Sequence, residues 1–186
     1  MKKLIYGIQQ IGVGVTDAPE AFSWYAKNLG ADVLVFEDEN DAVDMAPYMG
    51  GEPHAKHAML SINMQGGSGY EIWQYKDRQP KFPEFDPEPG DLGIFCGMIK
   101  SRDLNRSFDR MSDDNIEIIR AISQEPDGHR SFSIKDPYGN RYRIKEYNCW
   151  YSKSSFDLGG LFGAQIGVSD IDQSLKLYKD ILGYNE

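Results

Sequence analysis

The sequence is short of cysteine, of histidine and of basic charge, and it has no long apolar run. Its 186 residues include 2 Cys and 3 His. Cys96 and Cys149 could form one disulfide at most, and no C-x-x-C pair marks a redox motif or a zinc site. A reducing cytoplasm is therefore the expected location. Lys and Arg number 20 against 29 Asp and Glu, a formal charge of −9. Such a surface repels phosphate backbones and anionic headgroups, so nucleic acid is not an expected partner. No stretch approaches the ~18 consecutive apolar residues of a membrane helix, and no membrane partner is expected either. The opening Met1-Lys2-Lys3 before Leu4-Ile5-Tyr6 has the outline of a signal segment, but Gln9 and Gln10 interrupt it, and it reads as a strand. Glycine at 19 and proline at 9 are too few and too irregular for collagen-like or disordered chains.

What is present is an internal repeat. Residues 10–31 align with 163–184 without a gap at a constant offset of 153. Gly14/Gly167, Val15/Val168, Asp17/Asp170, Tyr25/Tyr178, Leu29/Leu182 and Gly30/Gly183 coincide. Each copy reads as a strand, an acidic cap, an amphipathic helix and a closing glycine. Asp17 with Glu20 three residues on, and Pro19 between them, is a helix start signal. Phe22, Tyr25 and Leu29 in one copy, and Ile171, Leu175, Tyr178 and Leu182 in the other, form one apolar stripe each. A fainter copy runs from the apolar segment 93–99 through Asp103 to Leu104, Phe108 and Met111.

Strand-like segments at 31–37, 58–63 and 69–75 follow the first helix, and others at 116–122, 131–135 and 141–147 follow the second. The unit is thus β-α-β-β-β, complete at about 5–76 and 92–147 and begun again at about 161–186. Residues 77–91 carry four prolines among crowded charges and read as the linker. Residues 38–57 read as a long loop. The expected organisation is one domain over 1–148, then a joint and a truncated third β-α piece over 149–186. A lone strand and helix cannot form a core. Either the chain is a fragment of a longer four-unit protein, or this piece packs on the first domain or on a second copy in a homodimer.

Two β-α-β-β-β units, an opening Gln10-Ile11-Gly12-Val13-Gly14-Val15-Thr16-Asp17, and Asp136-Pro137-Tyr138-Gly139-Asn140 before a final strand resemble the vicinal oxygen chelate superfamily. That group contains glyoxalase I, extradiol dioxygenases and the bleomycin resistance proteins. The resemblance implies an α+β fold whose paired units form a half-open barrel around a cleft. It also implies a divalent metal held by one residue from the first strand and one from the last strand of each unit, with open positions for adjacent substrate oxygens. In unit one those positions fall on Gln10 and Glu71. In unit two the first falls on Ile94, or on Cys96 with a register slip of two, and the last falls on Arg143, where a guanidinium cannot ligate a metal. Glu146 lies three residues further and points to the other face.

The expected function is accordingly the binding of a small, anionic molecule in the cleft without a complete metal site and without a cofactor. The alternative is a divalent-metal (Ni, Zn, Mn or Fe) lyase or dioxygenase whose ligands are completed by another chain or further units. A third reading is a vestigial scaffold for oligomerisation. Within the cleft Glu71 and Arg143 are expected either to neutralise each other or to leave Arg143, helped by Lys145, to receive the anionic group of a ligand. Trp73 and Tyr75 share the face of Glu71 and read as an aromatic wall or as plain core. His54 and His57 read as surface loop residues and His129 as a turn residue. No nucleophile triad and no phosphate-cradling glycine loop is present.

Overall fold

The computed structural model describes residues 5, 7–152 and 156–184; the opening segment expected as a strand at Leu4-Ile5-Tyr6 lies largely outside them. Three aspartates start the three helices in the same way. Asp17 accepts from the Glu20 amide at 2.8 Å ahead of α1 (Ala18–Leu29). Asp103 accepts from the Arg106 amide at 3.0 Å ahead of α2 (Leu104–Asp113). Asp170 accepts from the Gln173 amide at 2.9 Å ahead of α3 (Ile171–Leu175), which widens into a π-helical turn at Lys176–Ile181. Each cap satisfies an amide that has no partner within its helix, so the repeat seen in the sequence is a repeat of helix starts. At the other end of α1, Gly30 takes the left-handed conformation at φ 67°.

Unit one contributes β1 (Gln10–Gly14), β2 (Val33–Asp41), β3 (Ala55–Ile62) and β4 (Gly69–Tyr75), in the sheet order β1-β4-β3-β2. Unit two contributes β5 (Gly93–Ser101), β6 (Glu117–Gln124), β7 (Arg130–Lys135) and β8 (Arg141–Glu146). The third unit's strand, β9 (Leu158–Gly167), joins that sheet, giving the order β6-β7-β8-β5-β9. In both sheets the first strand of a unit lies parallel to its last. The fold is therefore α+β with paired β-α-β-β-β units, and the strand that continues unit two belongs to unit three, antiparallel to β5.

Two sequence readings change here. The segment 38–57 is not one loop: β2 runs on to Asp41, a short 3₁₀ turn occupies Val43–Tyr48, and β3 begins at Ala55. His57 therefore sits in a strand, buried, with its ring bonded to Glu37 at 2.7 Å, while His54 meets Asp77 at 2.9 Å. His129 lies in the turn before β7, as expected.

Units one and two meet through side chains. Tyr25 of α1 stacks on Tyr70 of β4 at 4.6 Å between ring centres and stands edge-on to Tyr142 of β8. Its hydroxyl donates to Asp136 at 2.5 Å and lies 3.0 Å from the Tyr142 hydroxyl. Asp136 also accepts from the Tyr138 and Asn140 amides at 2.9 and 2.8 Å and from the Asn140 side chain at 2.8 Å. The Asp-Pro-Tyr-Gly-Asn turn thus holds the two units together. Burial pushes the Asp136 carboxyl up, opposed by these hydrogen bonds, and pushes the Tyr25 and Tyr142 phenols up as well. Around them Leu29, Ile72, Ile99, Leu104, Met111, Phe132, Ile134 and Ile144 are wholly buried in one shared core.

Candidate functional site

Strand alternation sends one face of each sheet into that core and leaves the other face for a site. In β4 Tyr70 and Ile72 face the core, so Glu71, Trp73 and Tyr75 face away. In β8 Tyr142 and Ile144 face the core, so Arg141, Arg143 and Lys145 face away. The six candidate residues therefore divide between two sheets. Gln10, Glu71, Trp73 and Tyr75 share the outer face of unit one; Arg143 and Lys145 share that of unit two.

On the face of unit one the Gln10 amide donates to the Glu71 carboxylate at 2.6 Å. Lys56, opposite Tyr75 in the ladder, sits 5.1 Å from the centre of the Trp73 ring and binds Asp38 at 2.6 Å. Tyr75 meets Trp73 at 5.9 Å and reaches Met49 of the preceding turn with its hydroxyl. The buried indole nitrogen of Trp73 has no acceptor among the described residues. Trp73 and Tyr75 thus share the outward face of Glu71 and do not belong to the core cluster.

On the face of unit two the ladder register identifies what stands at the positions of Gln10 and Glu71. Gly12 lies opposite Glu71 in unit one, and Met98 lies opposite Arg143 in unit two. Gly12 and Met98 each precede their capping aspartate by five residues, so Arg143 stands at the position of Glu71. Counting seven back from the same aspartates equates Gln10 with Cys96, which settles the open choice against Ile94. The expected meeting of Glu71 with Arg143 does not occur, because each has a partner on its own sheet. Arg143 pairs with Glu125 at 3.4 Å, and its buried Nε has no acceptor among the described residues.

Sequence reasoning missed Glu125, which accepts from Ser131 at 2.5 Å and from Arg120 at 3.2 Å as well as from Arg143. It sits just past a bulged strand whose alternation is broken, so no period marks it. Ser123 nearby has a buried hydroxyl without a partner among the described residues. Arg141 was legible: it stands two residues before Arg143 and so on the same face. Cys96 is buried with its sulfur 3.7 Å from Gln165 of β9, and burial raises its thiol against the lowering pull of Arg143 and Arg141. Cys96 and Cys149 are both free thiols.

A divalent metal of the chelate type asks for donors from two units. Gln10 and Glu71 are two such donors in contact and fit half of the set. Unit two does not fit, since its last-strand position is a guanidinium. Among the described residues no group of three or more His, Cys, Asp or Glu side chains gathers elsewhere that could hold a metal, and no helix is long and apolar enough to cross a membrane.

The comparison with known proteins agrees with this architecture. A model of the Glyoxalase/Bleomycin resistance protein/Dioxygenase superfamily matches residues 7–144, and the chain belongs to that superfamily. A glyoxalase family protein from Bacillus cereus is 14% identical, with a TM-score of 0.62 over 78% of this chain and 96% of its own. A candidate dioxygenase from Bacillus subtilis is 17% identical, with a TM-score of 0.68 over 96% of this chain and 55% of its own. A point variant of glyoxalase I from Zea mays is 14% identical, with a TM-score of 0.59 over 96% of this chain and 56% of its own. At these identities the likeness is one of fold, and the chain spans little more than half of the last two. The search of curated proteins finds no match.

Proposed function

We propose that the protein binds a small organic anion on the outer face of unit two, using Arg143 and Lys145 in place of a complete metal site. The observation that carries this reading is the register: a fixed cation stands where unit one has its carboxylate. A metal gives a bound ligand positive charge, and Arg143 offers positive charge at the same position without one. Its Nε and the hydroxyl of Ser123 are buried donors without an acceptor among the described residues. Two free thiols suit a reducing cytoplasm.

The test is calorimetric titration with monocarboxylates and inorganic phosphate, with and without chelator. Binding should survive the chelator and weaken by about 10- to 100-fold in Arg143→Met, as befits one charge-assisted hydrogen-bonding group. Unchanged affinity in the variant, or dependence on added metal, would reject the reading.

A second reading has one observation behind it, the contact of Gln10 with Glu71 on β1, a strand whose other edge is unpaired among the described residues. In it the face of unit one, walled by Trp73 and Tyr75, is half of a metal-dependent lyase or dioxygenase site completed by another chain or unit. Elemental analysis after loading with Ni, Zn, Mn or Fe(II) tests it: bound metal lost in Glu71→Ala supports it, and metal retained in that variant rejects it.

A further inference from the structure

The cations on the outer face of β8 form a row, and each already holds a carboxylate from a neighbouring loop. Asp86 binds Arg141, Glu125 binds Arg143, and Asp127 binds Lys145. The three carboxylates are not held alike. Glu125 is almost wholly covered and tied by Ser131 and Arg120. Asp127 belongs to the β6–β7 turn and also accepts from the His129 amide at 3.1 Å. Asp86 comes from the proline-rich linker, which forms no strand ladder with the sheet. Its side chain is 72% exposed, while that of Arg141 beneath it is 12% exposed. Its one other cation among the described residues is Lys135, at 3.5 Å.

Resting on the anion reading above, we infer that Asp86 is an internal stand-in for a second ligand carboxylate, and that the ligand is a short dicarboxylate bridging Arg143 and Arg141. Two residues apart on one strand face, the two guanidinium stems start about 6.6 Å from each other, within reach of the two ends of a chain of five or six carbons. Arg143, whose side chain is 17% exposed, takes one carboxylate at its guanidinium. The other displaces Asp86 from Arg141, so a linker loop is exchanged for ligand and the linker loosens on binding. Arg141 is held in place for this by Phe95, whose ring lies 5.4 Å from the guanidinium carbon.

The experiment titrates the full chain with glutarate and adipate against butyrate and hexanoate. The dicarboxylates should bind more tightly than their monocarboxylate partners. Arg141→Ala should erase that difference while leaving monocarboxylate affinity in place. Asp86→Ala should tighten dicarboxylates about threefold, the scale of one exposed ion pair removed from competition. Hydrogen exchange over 82–91 should accelerate in Asp86→Ala, and in the unmodified chain on adding adipate but not hexanoate. Equal affinities for the two series, with Asp86→Ala inert, would overturn this inference while a loss in Arg143→Met kept the anion site standing. Failure of every carboxylate to bind, in the unmodified chain and in Asp86→Ala alike, would overturn both.

Discussion

Tyr25→Phe isolates one of the bonds that join the two complete units. The substitution keeps the ring, its stack on Tyr70 and its edge contact with Tyr142, and removes one hydroxyl. Asp136 then loses the donor at 2.5 Å and keeps its three bonds within the turn. A hydrogen bond to a charged acceptor contributes about 1.5–3 kcal/mol when its partner is buried, and Asp136 is 4% exposed. A loss of about 2 kcal/mol is expected at neutral pH, or roughly 4–8 °C in Tm for a chain of this size. The pH dependence has a definite sign. Burial holds the Asp136 carboxyl above its ordinary value, so the group favours the folded state most when protonated and does so less as pH rises through its folded-state pKa. Tyr25 donates to the charged form and limits that decline. Its removal should therefore destabilise more at pH 7 than in acid, where the neutral carboxyl needs the donor less. Urea unfolding of the parent and Tyr25→Phe across this range measures the difference. A change below about 0.5 kcal/mol at pH 7, or a loss that grows as pH falls, would refute this role for the motif's aspartate.

Three further outcomes follow from the same geometry. Glu71→Ala should leave carboxylate affinity at Arg143 unchanged within error in calorimetry, because the two residues stand on different sheets; a large loss would mean that the two faces form one site. Gly30→Ala should cost about 1–3 kcal/mol in thermal or urea unfolding, because φ is 67° and a Cβ would come within 2.7 Å of the Phe156 ring; an unchanged Tm would contradict this. Of the two thiols, exposed Cys149 should react with a disulfide reagent at once, while Cys96, 5% exposed and with its thiol raised by burial, should react only slowly or on unfolding; two equally fast thiols would place Cys96 in solvent.

The repeat was legible because its signals are local: an aspartate cap, a helix stripe and a closing glycine recur at fixed offsets whatever surrounds them. The outward face of Arg143 and Lys145, and of Glu71, Trp73 and Tyr75, was legible for the same reason, since a period of two needs only the strand itself. What depended on distant partners was not. Glu71 and Arg143 were expected in one cleft because the family resemblance places the last-strand position of each unit there, but that position does not say which partners each finds on its own sheet. The loop at 38–57 hid the end of β2 because Asp38, Glu39, Asn40 and Asp41 are poor strand formers on propensity alone. They extend β2 because β3 lies alongside and supplies Lys56 and His57 as partners.

The role of the Asp-Pro-Tyr-Gly-Asn turn shows how strand pairing and side-chain packing divide the work of assembly. β5 spends both its edges, one on β8 and one on β9, while β1 uses only the edge toward β4 among the described residues. Among the described residues no backbone ladder therefore runs from unit one to unit two. Their union rests on the Tyr25, Tyr70, Tyr142 and Asp136 cluster, on the Arg110 guanidinium donating to the Asn28 carbonyl at 2.9 Å, and on the apolar core around them. Gln10 with Glu71 and, at the matching position of unit two, Arg143 thus stand on separate sheets, each with a partner of its own. In a continuous sheet across β1 and β5 those side chains would share one cleft, and the charge of Arg143 would oppose any cation at Glu71.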